Sequence, residues 1–424
     1  MAHSFRILVL AIVGILLAGC QTTTADGQTA GQSVQPTAAV QPAVQVAMTP
    51  DEKFAAWRAG LKAEALGRGV SATTFDRAFA GVRPNAKVLE LDSKQAEFVR
   101  PIWEYLDSAV SDTRIASGKE ALAAQWQTLR DLAATYGVPP EIVVAIWGLE
   151  TNYGGYMGDF SVIEALATLA YQGRRTDSFR EQLLIALDIL QAGDITPERM
   201  RGSWAGAMGH TQFMPAAFTA YAVDHDRNGK RNMWDEPVDA LASTANYLDK
   251  SGWRDGQPWG AEVVLPANFP WEEAELDTVR TVGTWHALGV RAAKDATLPD
   301  DSLPASVIAP AGHRGPAFLV LKNFRVIMRY NNATSYALAV AHLADRIGGG
   351  GPFLTAWPRN DAKLRIDDVR EMQRLLTARG HNTGGVDGIV GPMTRAAIRG
   401  YQREIGAPPD GYPSSELLSR LKAG

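Results

Sequence analysis

One carboxylate is set apart by its neighbours. In "VPPEIVVAIWGLETNYGG", residues 138–155, Glu150 follows a stretch in which seven of the eight residues from Ile142 to Leu149 are apolar. Apolar on every side, this stretch reads as a buried helix. Pro139 or Pro140 fits its first turn, and Gly154–Gly155 stops it after Asn152. A carboxyl at the C-terminal end of such a helix meets two effects of one sign. Desolvation disfavours the charged form, and the negative end of the helix dipole adds to it. A Glu kept protonated near neutral pH is the general acid that cleavage of a glycosidic bond requires.

Two further stretches carry residue types suited to ligands. "RGSWAGAMGHTQFMPAAF", Arg201 to Phe218, is dense in Gly and other small residues, which lets backbone approach a bound molecule. Within it, Gln212 offers hydrogen bonds and Phe213 a stacking ring. "DHDRNGKRNMWD", Asp224 to Asp235, has EF-hand spacing. Oxygen donors stand at positions 1, 3 and 5 and Gly229 at position 6. It departs from that pattern in having Asp235 at position 12 and Arg231 at position 8. Such a donor set suits Ca²⁺ in a structural role. His210 and His225 lack metal-ligand partners in sequence and read as structural.

These residues need helices to position them. "TPDEKFAAWRAGLKAEALGRG" has Thr49 as an N-cap candidate, Pro50, acids in the first turn and a terminal Gly. Helical periodicity continues through Phe79, and then over 119–136, 139–150, 160–171, 177–192, 214–223 and 237–250. Residues 262–330 are mixed, with β-like runs in "AEVVLP" and "AFLVLKNFRVIMRY". A helix in "ATSYALAVAHLADRI" ends the part spanning 50–350. Residues 351–363 read as a linker, and 364–424 as a separate compact unit with helices over 367–379, 392–405 and 414–422. The fold class is therefore mainly α, with a small β-containing part and a small three-helix C-terminal domain.

At 424 residues two or three domains are the prior. A formal net charge of −4 gives no general affinity for nucleic acid. The N-terminus is a leader: Arg6, then an apolar run from Ile7 to Gly19 that is too short to span a bilayer comfortably. Residues 21–49, rich in Gln, Thr, Ala and Pro, read as a flexible tether. Cys20 is the single cysteine, so no internal disulfide forms.

Several of these features resemble known families. "LAGC", residues 17–20, resembles the lipobox of bacterial lipoproteins. That resemblance implies lipidation of Cys20, residues 1–20 as signal peptide, and anchorage at the periplasmic face of a Gram-negative outer membrane. "GLETNYG" together with "GSWAGAMGHTQFMP" resembles the membrane-bound lytic murein transglycosylase B family, over about residues 50–347. The resemblance implies a lysozyme-like, mainly α-helical fold that cleaves the glycan strands of peptidoglycan. It also implies substrate contacts from Ser203, Gln212, Tyr247, Tyr330, Asn331 and Tyr336, with Ala333 where relatives often carry Ser. For the metal loop it implies Asp224, Asp226, Asn228, the carbonyl of Lys230, and Asp239 as ligands; Asp235 is the competing closing ligand. "GGVDGIVGPMTRAAIRGYQ" resembles the peptidoglycan-binding domain of many cell-wall enzymes, with Thr394 available to cap its second helix.

An ordinary glycosidase needs two carboxylates, about 5 Å or about 6.5–9.5 Å apart. Neither the Gly-rich loop nor the Tyr330 segment supplies a second one. A substrate-assisted route fits: Glu150 acts first as acid and then as base, the N-acetyl group supports the cation, and a 1,6-anhydro ring closes on MurNAc. A muramidase using water, or a tethered wall-binding lipoprotein without catalysis, stays open. No catalytic cofactor is expected. Partners are peptidoglycan strands and the membrane, with proteins of wall synthesis or remodelling within reach.

Overall fold

The computed structural model describes residues 48–93, 100–294 and 296–424. The expected leader, Cys20 and the tether before Met48 lie outside the described residues. The chain divides into two units, Met1–Thr49 and Pro50–Gly424, and every element below belongs to the second. Seventeen α-helices, one five-stranded sheet and one two-stranded sheet occur among the described residues. Mainly α with a small β part is the architecture the sequence implies. No single helix among them is long and apolar enough to cross a membrane.

Two cores flank the future site. One is built on the Pro140–Thr151 helix, the "acid helix", with the Thr334–Ile347 helix packed along it; Leu132, Val144, Ile146, Leu338 and Val340 are fully or almost fully buried there. The other gathers the Val162–Gln172 and Thr176–Ala192 helices, with Leu166, Leu169, Leu183 and Leu187 inside. Ser161 starts the Val162–Gln172 helix as its N-cap, accepting from the Glu164 amide at 3.3 Å. Tyr247 and Tyr330 pack against both cores, so they mark the seam between them.

The five-stranded sheet is antiparallel. Its order in space is Arg280–Thr281, Pro304–Ile308, Ala317–Val320, Gly260–Val264 and Arg291–Ala292. Val263 faces Ala317 in register, and Trp285 and Phe269 cover the sheet in a third core. The run 317–330 is not one β-like segment. The strand stops at Val320, and Lys322–Tyr330 is a helix whose buried Asn323, Phe324, Val326 and Ile327 recur at helical spacing. That helix carries Tyr330 to the seam.

Residues 364–424 hold a fourth core, with Met372, Ile398 and Leu421 inside three helices: Ile366–Ala378, Pro392–Glu404 and Ser415–Ala423. Thr394 does not cap the second of these. Pro392 occupies its first position and Gly391 is the N-cap, so Thr394 falls inside the first turn. Its hydroxyl instead accepts from Gln373 Nε2 at 3.2 Å, in the network where the Gln373 side chain also binds Asp387 and the Gly388 amide. Residues 351–363 are fastened down. Phe353 and Trp357 pack on the first core, the Leu354 and Thr355 amides donate to Glu262, and Arg359 pairs with Asp107 at 2.6 Å. The C-terminal unit meets the loops that join the sheet strands through His313–Asp410 at 2.6 Å and through Arg399–Glu275.

Candidate active site

The acid helix ends where its sequence and its packing agree. Pro140 opens it, Ile142 to Gly148 are buried without interruption, and Glu150 lies in the last turn. The stop is made earlier than Gly154–Gly155. Asn152 and Tyr153 both take left-handed backbone, at φ 51° and 60°, and the Asn152 amide donates to the Gly148 carbonyl at 3.0 Å. A Tyr in that region is costly; its hydroxyl holds the Arg114 carbonyl at 2.8 Å. Its ring lies so close over Gly148 that a Cβ there would stand 2.5 Å from it.

Glu150 is partly buried, and the Tyr336 hydroxyl donates to its Oε1 at 2.6 Å. Burial pushes the carboxyl from its ordinary 4.5 up to about 7, against the Tyr336 hydrogen bond, which acts downward. The phenols of Tyr330 and Tyr336 are raised well above their ordinary value, by burial first and then by the charge of Glu150. Tyr105 is raised in the same way. The charge of Glu150 thus acts on all three tyrosines.

Around this carboxyl stands an aromatic wall. The Tyr330 and Tyr336 rings are near parallel at 8°, with centroids 6.5 Å apart. Tyr247 meets Tyr330 edge-on at 5.0 Å, and Tyr221 meets Tyr247 at 4.6 Å. The hydroxyls are tied to backbone: Tyr330 donates to the Thr211 carbonyl and Tyr247 to the Arg329 carbonyl, both at 2.5 Å. Phe213 does not offer a stacking face. It is 2% exposed and sits behind Tyr247 and Tyr330, 5.8 Å from each, so it supports the wall from the core side.

The Gly-rich loop is a compact knot. Met208 bridges Gly202 and Phe213, and Gly209, at φ 68°, stands where a Cβ would lie 2.3 Å from the Met233 carbonyl. Gln212, at φ 52°, turns its amide inward to donate to the Met157 and Gly209 carbonyls. Ser203 accepts the Ala207 amide at 3.0 Å, closing the turn of the loop. Asn331 is exposed at the C-cap of the Tyr330 helix. The structure thus joins Glu150, Tyr336, Tyr330, Tyr247 and Phe213 in one contact chain, with Gln212 and Ser203 on the adjoining loop.

Sequence reasoning missed Tyr105, which comes from the Ile102–Ala109 helix packed against Thr334–Ile347. Nothing in its local pattern marks it. It also missed the contacts of Trp147 and Thr151 with His210, although both flank Glu150.

The acidic loop closes on itself. Oxygens of Asp224, Asp226 and Asp239 lie within 4.8 Å of one another. Asp224 accepts the Asn228 and Gly229 amides, and Asp239 accepts those of His225 and Asn232. Burial pushes the Asp239 carboxyl up. Asp235 is engaged elsewhere, by Arg199 and by the Asn232 side chain. Three carboxylates at this spacing repel unless a cation joins them, and all-oxygen donors suit a hard divalent ion.

Comparison with known proteins agrees with this architecture. Residues 53–345 match the transglycosylase SLT domain, and residues 365–421 a peptidoglycan binding domain. Membrane-bound lytic murein transglycosylase B of Escherichia coli is 35% identical over 232 residues, which span 54% of this chain and 60% of that protein. The match thus covers less than two thirds of that relative's length. SltB3 from Pseudomonas aeruginosa, solved in complex with NAG-anhNAM-pentapeptide, superposes with a TM-score of 0.84 at 52% identity, over 87% of this chain and 99% of that one. The Escherichia coli lytic transglycosylase Slt35 in complex with calcium gives 0.61 at 29% identity, over 69% and 92%. With its SLT domain matched over most of its length and its helical fold shared with these relatives, the chain belongs to the transglycosylase SLT domain family.

Proposed function

We propose that the protein is a lytic transglycosylase that cleaves the MurNAc–GlcNAc β-1,4 bond of peptidoglycan and leaves 1,6-anhydro-MurNAc ends. The observation that carries this reading is the Glu150 carboxyl, partly buried beside the tyrosine wall, hydrogen-bonded by Tyr336 and held up at about 7 by burial. Protonated Glu150 gives its proton to the bridging oxygen as the C1–O bond breaks. The N-acetyl carbonyl oxygen of the same MurNAc bonds to C1 and carries the positive charge. Glu150, now a carboxylate hydrogen-bonded by Tyr336, takes the proton of the C6 hydroxyl. That oxygen then displaces the acetamido oxygen from C1, closing the anhydro ring and restoring the acid. No water is consumed. The anhydro sugar bound to SltB3 supports the same outcome here.

The substrate contacts assigned to this cleft are Tyr247, Tyr330, Tyr336, Asn331, Gln212 and Ser203, with Tyr105 added. Residues 364–424 act as the wall-binding part, a reading supported by the family match over 365–421. The acidic loop holds a structural Ca²⁺ through Asp224, Asp226, Asn228, the Lys230 carbonyl and Asp239. The calcium complex of Slt35 supports the ion, and the engagement of Asp235 by Arg199 supports Asp239 as the closing ligand. Cys20 is the lipid anchor at the outer membrane, a reading supported by "LAGC" and by a relative named as membrane-bound.

Mass spectrometry of digested peptidoglycan is expected to find muropeptides lighter by one water at the sugar end, and Glu150→Gln to lose lysis by about a hundredfold or more while still sedimenting with the wall. Hydrated reducing ends alone would contradict the ring closure. Activity falls as pH rises through about 7. Because the folded pKa is raised, the stability that Glu150 contributes is fully present below 4.5 and is lost as pH rises through about 7. Glu150→Gln flattens that slope, and Tyr336→Phe, lacking the downward hydrogen bond, moves the activity limb to higher pH. Chelation lowers Tm by several degrees and added Ca²⁺ restores it; an unchanged melt would rule the ion out. Cys20→Ser moves the protein from the membrane to the soluble fraction, and a variant still in the membrane would exclude the anchor.

A further inference from the structure

His210 touches the acid helix on both sides of Glu150. One turn before the acid, the Trp147 indole N–H donates to His210 Nδ1 at 3.2 Å. One residue after it, the Thr151 hydroxyl donates to the His210 carbonyl at 2.6 Å. The imidazole lies edge-on to Trp147, with centroids 5.6 Å apart. It also fills the space over Gly154, where a Cβ would stand 2.4 Å from Cε1. Its own backbone is fixed by a 2.8 Å bond from the His210 amide to the Met233 carbonyl. The two residues that follow reach the other walls of the cleft. The Thr211 carbonyl accepts from Tyr330, and the Gln212 side chain donates to Met157 in the loop leaving the acid helix.

The chemistry of this contact is restrictive. An indole N–H only donates, so Nδ1 must offer a lone pair and the ring is the neutral Nε2–H tautomer. That Nε2–H is buried without a partner among the described residues. A phenylalanine would fill the same space without stranding a donor, so packing alone does not call for histidine here. The acceptor at Nδ1 is what the ring adds.

We propose that His210 is the positioning residue of Glu150. Its Nδ1 and its carbonyl grip Trp147 and Thr151, and so fix the last turn of the helix with the Glu150 carboxyl facing Tyr336 and the scissile oxygen. This rests on the reading of Glu150 as the acid. His210 itself touches no reacting atom; it acts through the helix.

The test uses steady-state kinetics of the full chain on soluble glycan strands, with a pH profile for each variant. His210→Phe keeps an aromatic ring, a somewhat larger one, and removes the acceptor. Its kcat is expected to fall tenfold or more, with KM within about twofold, because misplacing an acid lowers the chemical step rather than binding. His210→Asn, whose Oδ1 can accept the Trp147 N–H, recovers most of that loss. Trp147→Phe removes the donor instead and is expected to match His210→Phe, with no further loss in the double variant. If His210→Phe fails to fold, judged by its melt, Trp147→Phe and His210→Asn decide. Wild-type kcat in Trp147→Phe, or an Asn variant as slow as the Phe one, would overturn the proposal. Glu150→Gln runs in parallel: an active Glu150→Gln would overturn the acid itself. An inactive Glu150→Gln beside a fully active Trp147→Phe would overturn the positioning role alone.

Discussion

A carboxyl group loses water wherever the protein closes around it, and that loss decides its protonation state. Glu150 sits in the last turn of a helix whose residues from Ile142 to Gly148 are all buried. The helix can present its end only to the seam between two cores. At that seam the chain provides a phenol rather than a guanidinium as the partner, Tyr336 at 2.6 Å. A guanidinium would have driven the carboxyl to its charged form. A single neutral donor leaves burial dominant, and the group stays near 7. The rest of the molecule can be read as what is needed to keep that helix end dry and still.

Stillness comes from ties made across long stretches of chain. Tyr153 is forced into a left-handed conformation over Gly148, His210 holds Trp147 and Thr151, and Tyr330 holds Thr211. The His210 and Tyr330 ties join the acid helix and the tyrosine wall to the Gly-rich knot, while the Tyr153 hydroxyl ties the helix end to the Arg114 carbonyl. The close approaches at Gly202 and Gly209 explain why that knot is built of glycines: a side chain at either would meet the Ala207 or the Met233 carbonyl. The acidic loop lies directly behind, since the His210 amide hangs from Met233 within it.

How much of this was legible depended on how local the signal was. The acid helix was visible because an uninterrupted apolar run, Pro140 and Asn152 are adjacent in sequence. The acidic loop was visible because its donors alternate within a few residues. The sequence pattern runs the Ala317–Val320 strand on into the helix that follows it. Val320 and Ile327 both look β-like, and only the spacing of Phe324, Val326 and Ile327 separates the helix from the strand before it. Phe213 was read as a ligand platform because an aromatic beside Gln212 suggests one, whereas burial is decided by Tyr247 and Tyr330 arriving from far along the chain. Tyr105 and the bond of His210 to Trp147 were invisible for the same reason. A partner set by tertiary packing leaves no periodic trace in the segment that carries it.

Burial keeps Glu150 protonated near neutrality, and a direct titration of that carboxyl tests this most directly. Carbon NMR of side-chain-labelled glutamate, with Glu150 assigned by the signal missing from Glu150→Gln, reads the midpoint without any substrate. A midpoint at about 7 is expected. A midpoint at the ordinary 4.5 would contradict it.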